Sequence, residues 1–195
     1  MNSEVYEVEA QIEATHWWFK ARRELIARFL GALALTDRAI ILDVGSSTGT
    51  NLRLLREMGF RKFQGVDTSP DAIEWCRQKG LGLVSRADAQ DLPFPEQSFD
   101  VVLATDVLEH LDDDQKGMNE FFRVLRPGGW ALLTVPTFSS LWGRQDEVSH
   151  HRRRYRLSPL IRLARASGFE IHDKFYFNYL LFVPIWMARQ ILKRL

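Results

Sequence analysis

Ile40-Ile41-Leu42-Asp43-Val44-Gly45-Ser46-Ser47-Thr48-Gly49 joins an apolar run to a carboxylate and a glycine-marked turn. A short apolar run closed by glycine reads as a buried strand that hands the chain to a helix. A second such run ends at Gly65-Val66-Asp67. In an open parallel sheet, ligands bind beyond the C-terminal ends of the strands. An acid closing the second strand is then placed to accept from a pair of ribose hydroxyls. The two motifs together point to a nucleoside-binding edge.

Outward from this stretch, strand and helix signals alternate, the pattern of an α/β fold with a mainly parallel sheet and helices on both faces. Strands are expected over 39–44, 63–67, 82–86, 99–105 and 130–135, with a sixth near 170–177. Ser69-Pro70 reads as an N-cap and first helical residue, and Ser158-Pro159 reads the same way for a helix ending at Gly168. The helix through Phe121 and Leu125 must stop at Pro127-Gly128-Gly129. A long helix, broken in the middle, is expected over 6–30.

The chain has 195 residues, 46% of them hydrophobic, enough for one domain with a sizeable core. Its formal net charge of +1 gives no field that favours nucleic acid. Cys76 is the only cysteine, which excludes an internal disulfide and suggests a reducing, cytoplasmic setting. The polar N-terminus argues against a secretory leader, and no apolar run reaches the ~18 residues of a spanning helix. Nothing in the sequence sets an oligomeric state.

On the expected frame, Asp43, Asp67, Asp88 and Asp106 each fall at or just past the end of a successive strand. Such a gathering repels a phosphate-rich ligand and suits one with hydroxyls, an amine and positive charge. The plain alternative is that Asp favours strand-to-helix turns and caps. A dinucleotide site needs the spacing G-x-G-x-x-G, and Gly45 and Gly49, with Ser-Ser-Thr between them, miss it.

With those residues placed, the chain resembles the class I S-adenosylmethionine-dependent methyltransferases of the type 11 kind. Asp43 through Gly49 looks like the family's first motif and Val66-Asp67 like its ribose-binding acid. Asp88-Ala89 with Leu92-Pro93-Phe94 looks like the adenine-edge segment. Phe99-Asp100 through Asp106-Val107-Leu108-Glu109-His110 is similar to the fourth-strand motif, and Arg123 through Gly129 to the helix-to-strand turn. The flanks His16-Trp17-Trp18-Phe19 and His150-His151-Arg152-Arg153-Arg154-Tyr155 resemble an uncharacterised bacterial branch. The resemblance implies a Rossmann-like sheet with an N-terminal helical lid and S-adenosyl-L-methionine as cofactor. It assigns Asp43, Gly45, Ser46, Ser47, Gly49, Asp67, Thr68, Asp88, Ala89, Thr105 and Asp106 to the cofactor. One position departs: Ser47 stands where the family has its middle glycine, and a Cβ there demands a compatible backbone angle. The family's last strand, which would follow the apolar stretch 175–187, is also expected to be missing.

The expected division is a single domain over 1–195. A helical segment fills 1–36 and the cofactor core 37–136. The acceptor-side loop, helix, strand and apolar tail fill 137–195. His110, just past the fourth strand, is the candidate base, against the alternative of a packing histidine. His16, Trp17, His150, His151, Arg153 and Tyr155 are candidates for the acceptor. Aromatic residues there would exclude water and arginines would hold an anionic or lipid-like small molecule. The alternatives are a core-packed helix face and a solvated arginine loop. Glu147 and His150 supply two metal ligands without a third, so no metal is expected. The apolar stretch 175–187 reads as core, as an acceptor pocket or as a surface for peripheral membrane contact. Other functional readings are a non-catalytic cofactor-binding or interaction domain and a nicotinamide-dependent reductase.

Overall fold

The structure, a computed structural model of the chain, describes residues 3–177, 182–184 and 186–187. Its centre is a five-stranded parallel sheet in the order β3-β2-β1-β4-β5. The strands are β1 (Ile40–Val44), β2 (Lys62–Asp67), β3 (Leu83–Arg86), β4 (Phe99–Thr105) and β5 (Leu125–Thr134). The helices are α1 (Ser3–Ile12), α2 (Trp17–Ala32), α3 (Thr50–Glu57), α4 (Pro70–Gln78), α5 (Asp114–Val124), α6 (Arg144–Val148) and α7 (Leu157–Ala166). Side chains alternate across the sheet with period two. Ile41, Val101 and Leu103 face one way, onto Ile26 and Leu30 of α2 and Leu54 and Leu55 of α3. Leu42, Val44, Val102 and Ala104 face the other, onto Met118 and Phe121 of α5 and Ala164 of α7. Asp43 shares the face of Ile41, which puts its carboxylate beneath α3.

Two helices replace the single broken one read from the sequence. The break falls where Arg23 Nη1 donates to the carbonyl of Glu13 at 2.6 Å, capping the end of α1, and where His16 Nδ1 accepts from the amide of Trp18 at 3.3 Å, capping the start of α2.

The structure corrects three local expectations. The segment 170–177 is not a strand: Phe169 and Ile171 pack against the core, and the rings of Phe169 and His172 meet Phe122 and Trp130, so its apolar contacts form without a backbone ladder. No strand follows β5 among the described residues. Helix α7 begins at Leu157 with Arg156 as its N-cap, two residues before the expected Ser158, so Ser158 and Pro159 lie inside the first turn, where a missing N–H costs nothing. The Pro127-Gly128-Gly129 turn lies inside β5. Phe99 pairs with Leu125 but Val101 with Trp130, so residues 126–129 bulge outward. The apolar tail read over 175–187 lies partly outside the described residues, in which Phe175, Val183, Trp186 and Met187 are exposed.

Candidate functional site

The turn after β1 is held by its neighbour. Gly45 and Ser46 donate their amides to the carbonyl of Val66 at 2.9 and 3.1 Å. Ser47 donates its amide to Asp67 Oδ2 at 2.9 Å, and Ser69 donates to Oδ1 at 2.9 Å. One carboxylate thus clamps the loops after β1 and β2 while keeping lone pairs free. Burial pushes its pKa up against those amides. Gly45 has φ +71°, and a Cβ there would sit 2.7 Å from Val107 Cγ2, so the close turn requires glycine. Ser47 adopts φ 47°, the left-handed backbone of the glycine it replaces. Its hydroxyl donates to Glu9 Oε2 at 2.9 Å, a contact glycine lacks.

Beneath this turn lies a buried polar cluster. Asn51 Nδ2 donates to Asp43 Oδ1 at 2.8 Å and to Thr105 Oγ1 at 3.1 Å. Arg22 reaches from α2 to Asp106 Oδ2 at 2.9 Å, and Thr134 Oγ1 donates to Asp106 Oδ1 at 3.2 Å. Asp43 is fully buried, and desolvation raises its pKa from 3.8 to about 7 against its bond to Asn51. Arg22 Nε, Asp43 Oδ2 and Asn51 Oδ1 are buried without hydrogen-bond partners.

A cavity continues from this edge across the sheet end. Gly45, Ser46, Ser47, Asp67, Thr68, Ala89, Thr105 and Asp106 line it, as do His16, Trp17, His110, His150 and His151. Asp43 lies just below its floor. Two sequence candidates stand off it. Gly49 is a packing glycine: at φ +87° its missing Cβ leaves room for Leu81 Cδ1, which would lie 2.3 Å away. Asp88 is exposed and accepts the amide of Gln90 at 2.9 Å, closing its own turn.

At the far end sit Glu109, His110 and His151. The His110 and His151 rings meet edge to face at 4.8 Å. Burial, with His151 nearby, lowers the pKa of His110 to about 4. Such an imidazole is neutral at pH 7 and holds a proton poorly. Glu109 is fully buried, neither of its oxygens has a hydrogen-bond partner, and desolvation drives its pKa well up.

The arginine loop is tied down by ion pairs and carbonyl bonds, with Arg152 exposed. Arg152 donates its amide to Glu109 O at 2.8 Å and Nε to His110 O at 3.0 Å. Arg153 pairs with Asp114 at 2.9 Å and donates to the carbonyls of Leu111 and Asp112. Arg154 forks onto buried Asp146 at 2.7 and 3.0 Å and donates to Thr137 O at 2.9 Å. Tyr155 is buried, with its hydroxyl donating to Asp114 Oδ2 at 2.7 Å. The polar atoms of Arg153 and Tyr155 tie the loop to the start of α5; of these two acceptor candidates, Tyr155 lines the cavity and Arg153 stands off it.

The N-terminal helices contribute residues that the sequence did not single out. Glu13 is 2% exposed and accepts from Thr48 Oγ1, from Thr50 Oγ1 at 2.8 Å and from Lys79 Nζ at 2.9 Å. These bonds hold its pKa down against burial. Glu9 is half-buried, and desolvation raises its pKa. Together they fasten α1 over the turn after β1. Trp17 is half exposed at the cavity rim, while Trp18 meets Phe177 at 5.4 Å.

A family model described as a methyltransferase domain matches residues 42–133. A Mycolicibacterium smegmatis protein named "Probable S-adenosylmethionine-dependent methyltransferase" is 30% identical over 163 residues, 81% of this chain and 61% of that one. Residues 42–133 of this chain are thus a methyltransferase domain. The 2-methyl-6-phytyl-1,4-hydroquinone methyltransferase 1 of Oryza sativa is 35% identical over 107 residues, covering 52% of this chain and 32% of that one. The chain spans under two thirds of the length of these relatives. The solved structure of the 4+2 cyclase SpnF superposes with a TM-score of 0.70 at 25% identity, covering 92% of this chain and 69% of that one. The family's cofactor is S-adenosyl-L-methionine. Among the described residues no helix is long and apolar enough to cross a membrane.

Proposed function

We propose that this domain transfers a methyl group from S-adenosyl-L-methionine to a lipid-like small molecule, with the cofactor on the C-terminal edge of β1, β2 and β4. The carrying observation is the set of buried atoms without partners there: one donor, Arg22 Nε, and two acceptors, Asp43 Oδ2 and Asn51 Oδ1. The amino-acid end of the cofactor is a zwitterion, with a carboxylate for the arginine and an ammonium for the two oxygens. Asp67 has lone pairs left over for two ribose hydroxyls, and Ala89, which lines the cavity, is assigned to the adenine end. The turn of Gly45, Ser46 and Ser47 brings backbone close to the ligand.

Bound there, the cofactor supplies a methyl group already activated on a sulfonium. The chain's residues have then to position the acceptor in line and exclude water. Trp17 and α1, latched through Glu9 and Glu13, cover the cofactor side. His110, neutral at pH 7 with a pKa near 4, offers one ring lone pair at this end of the cavity and removes a proton poorly. A lipid-like acceptor is supported by the hydroquinone methyltransferase relative and by the aromatic rim. The SpnF likeness favours a second reading, a cofactor-binding domain of this fold that transfers no methyl group.

S-adenosylhomocysteine should raise the melting temperature, as any ligand of the native state must, and NAD should not. Methyl-labelled cofactor should then mark an acceptor in a panel of prenylated hydroquinones and fatty acids. A response to NAD alone contradicts the cofactor assignment. Binding without any label transfer, in the panel and in total lipid extract, favours the second reading.

A further inference from the structure

We propose that Glu109, His110 and His151 form a site for a divalent first-row transition-metal ion, Zn2+ or Fe2+ in chemistry, at the acceptor end of the cavity. One ligand atom from each lies within 4.8 Å of the others. All three residues line the cavity. Glu109 is fully buried, and both of its oxygens lack hydrogen-bond partners. Buried carboxylates are paired or bind metals, and a lone one is costly. Nearby arginines are committed elsewhere: Arg22 to Asp106 at 2.9 Å and Arg154 to Asp146 at 2.7 Å.

The histidines are oriented as metal ligands are. His151 Nδ1 lies 2.9 Å from Asp146 Oδ1, which leaves Nε2 directed toward Glu109 Oε1 at 4.0 Å. A carboxylate on the far nitrogen fixes the tautomer and strengthens the near one as a ligand. Asp146 is itself held, by Arg154 and by the amide of Gly143 at 2.8 Å. The His110 ring packs edge to face on His151, with centroids 4.8 Å apart. The two segments that bring the ligands together are tied by the Arg152 amide to the carbonyl of Glu109 at 2.8 Å. Metal bonds to nitrogen and oxygen run about 2.0–2.2 Å, so binding requires the three atoms to close in from their spacing of up to 4.8 Å. Two imidazoles and one carboxylate leave coordination positions open, the set favoured by Zn2+ and Fe2+. Those positions fit an oxygen of the acceptor. That role rests on the methyltransferase reading; the site does not.

The test titrates the metal-stripped full chain with Co2+ as a spectroscopic probe, followed by Zn2+ in competition. The expected result is one Co2+ per chain with a nitrogen-ligated visible spectrum, displaced by one Zn2+. Glu109→Gln and His151→Gln should each weaken binding by 10-fold or more, roughly the effect of disturbing a metal site. S-adenosylhomocysteine affinity should stay as in the wild type in both, which also shows that the variants fold. If Glu109→Gln fails to fold, His151→Gln decides. A spectrum that stays that of aqueous Co2+, or Zn2+ affinity unchanged in the folded variants, overturns the site. Loss of S-adenosylhomocysteine binding in the wild type overturns the cofactor assignment instead and leaves the metal titration readable.

Discussion

Asp43 and Arg154 are both buried charged groups near one cavity. Asp43 keeps one oxygen without a partner. Arg154 commits three nitrogens to Asp146 and Thr137. The same contrast separates their regions. The strand-end edge holds orphaned polar atoms, an acid shifted toward neutrality and a serine in left-handed backbone. The arginine loop is saturated with ion pairs and carbonyl bonds. Folding leaves polar groups unpaired at a cost, and binding can return it. A saturated loop has nothing to offer a ligand but fixes whatever it is tied to. Charge density alone did not distinguish the two; the state of each group's hydrogen bonds did.

The largest effect should come from breaking the saturated side. Arg154→Ala leaves buried Asp146 without its fork, and removing one partner of a buried pair costs about 3–5 kcal/mol. Urea unfolding measures it. A loss of less than about 1 kcal/mol would mean that the loop is not a strut.

On the unsaturated side the expected signature is pH dependence. The folded pKa of Asp43 is raised from 3.8 to about 7. Between those values the folded state holds a proton that the unfolded state has lost, so this group's contribution falls as pH rises from about 4 to 7 and is level above. At about 1.4 kcal/mol per unit, the slope amounts to a few kcal/mol. Asp43→Asn should remove it, read as the difference between two stability-versus-pH curves. Parallel curves would contradict the burial of an unpaired acid there.

A smaller effect tests Ser47. Left-handed backbone costs a side chain about 1 kcal/mol, so Ser47→Gly should be more stable than Ser47→Ala by about that amount, both having lost the bond to Glu9. Equal stabilities would remove the strain from the account.

Strands β1 and β4 were legible because a parallel strand buried on both faces is a continuous apolar run that turn residues end, and β2 by the Gly65-Val66-Asp67 that closes it. Asp67 was legible for the same reason, by its place at a strand end. Glu9 and Glu13 were not: in sequence they are ordinary helical acids, and their partners Ser47, Thr48 and Lys79 lie far along the chain. Glu109 was quoted within a motif, yet its burial follows from how residues 150–155 fold back onto residues 108–110. The arginine run showed charge but not direction, which is decided by packing against Asp114 and Asp146. In the expected strand over 170–177, Ile171 packs against the core and the His172 ring meets Trp130 without a ladder.

Calorimetric titration of S-adenosylhomocysteine into wild type, Asp67→Ala and Arg153→Ala tests the contrast most directly. Asp67→Ala should weaken binding by about 1.5–3 kcal/mol, on the order of 10–100-fold, the scale of bonds to a charged group. Arg153→Ala should leave affinity within about twofold while lowering the urea midpoint, since its bonds go to the scaffold. Full affinity in Asp67→Ala with weakened binding in Arg153→Ala would contradict the account.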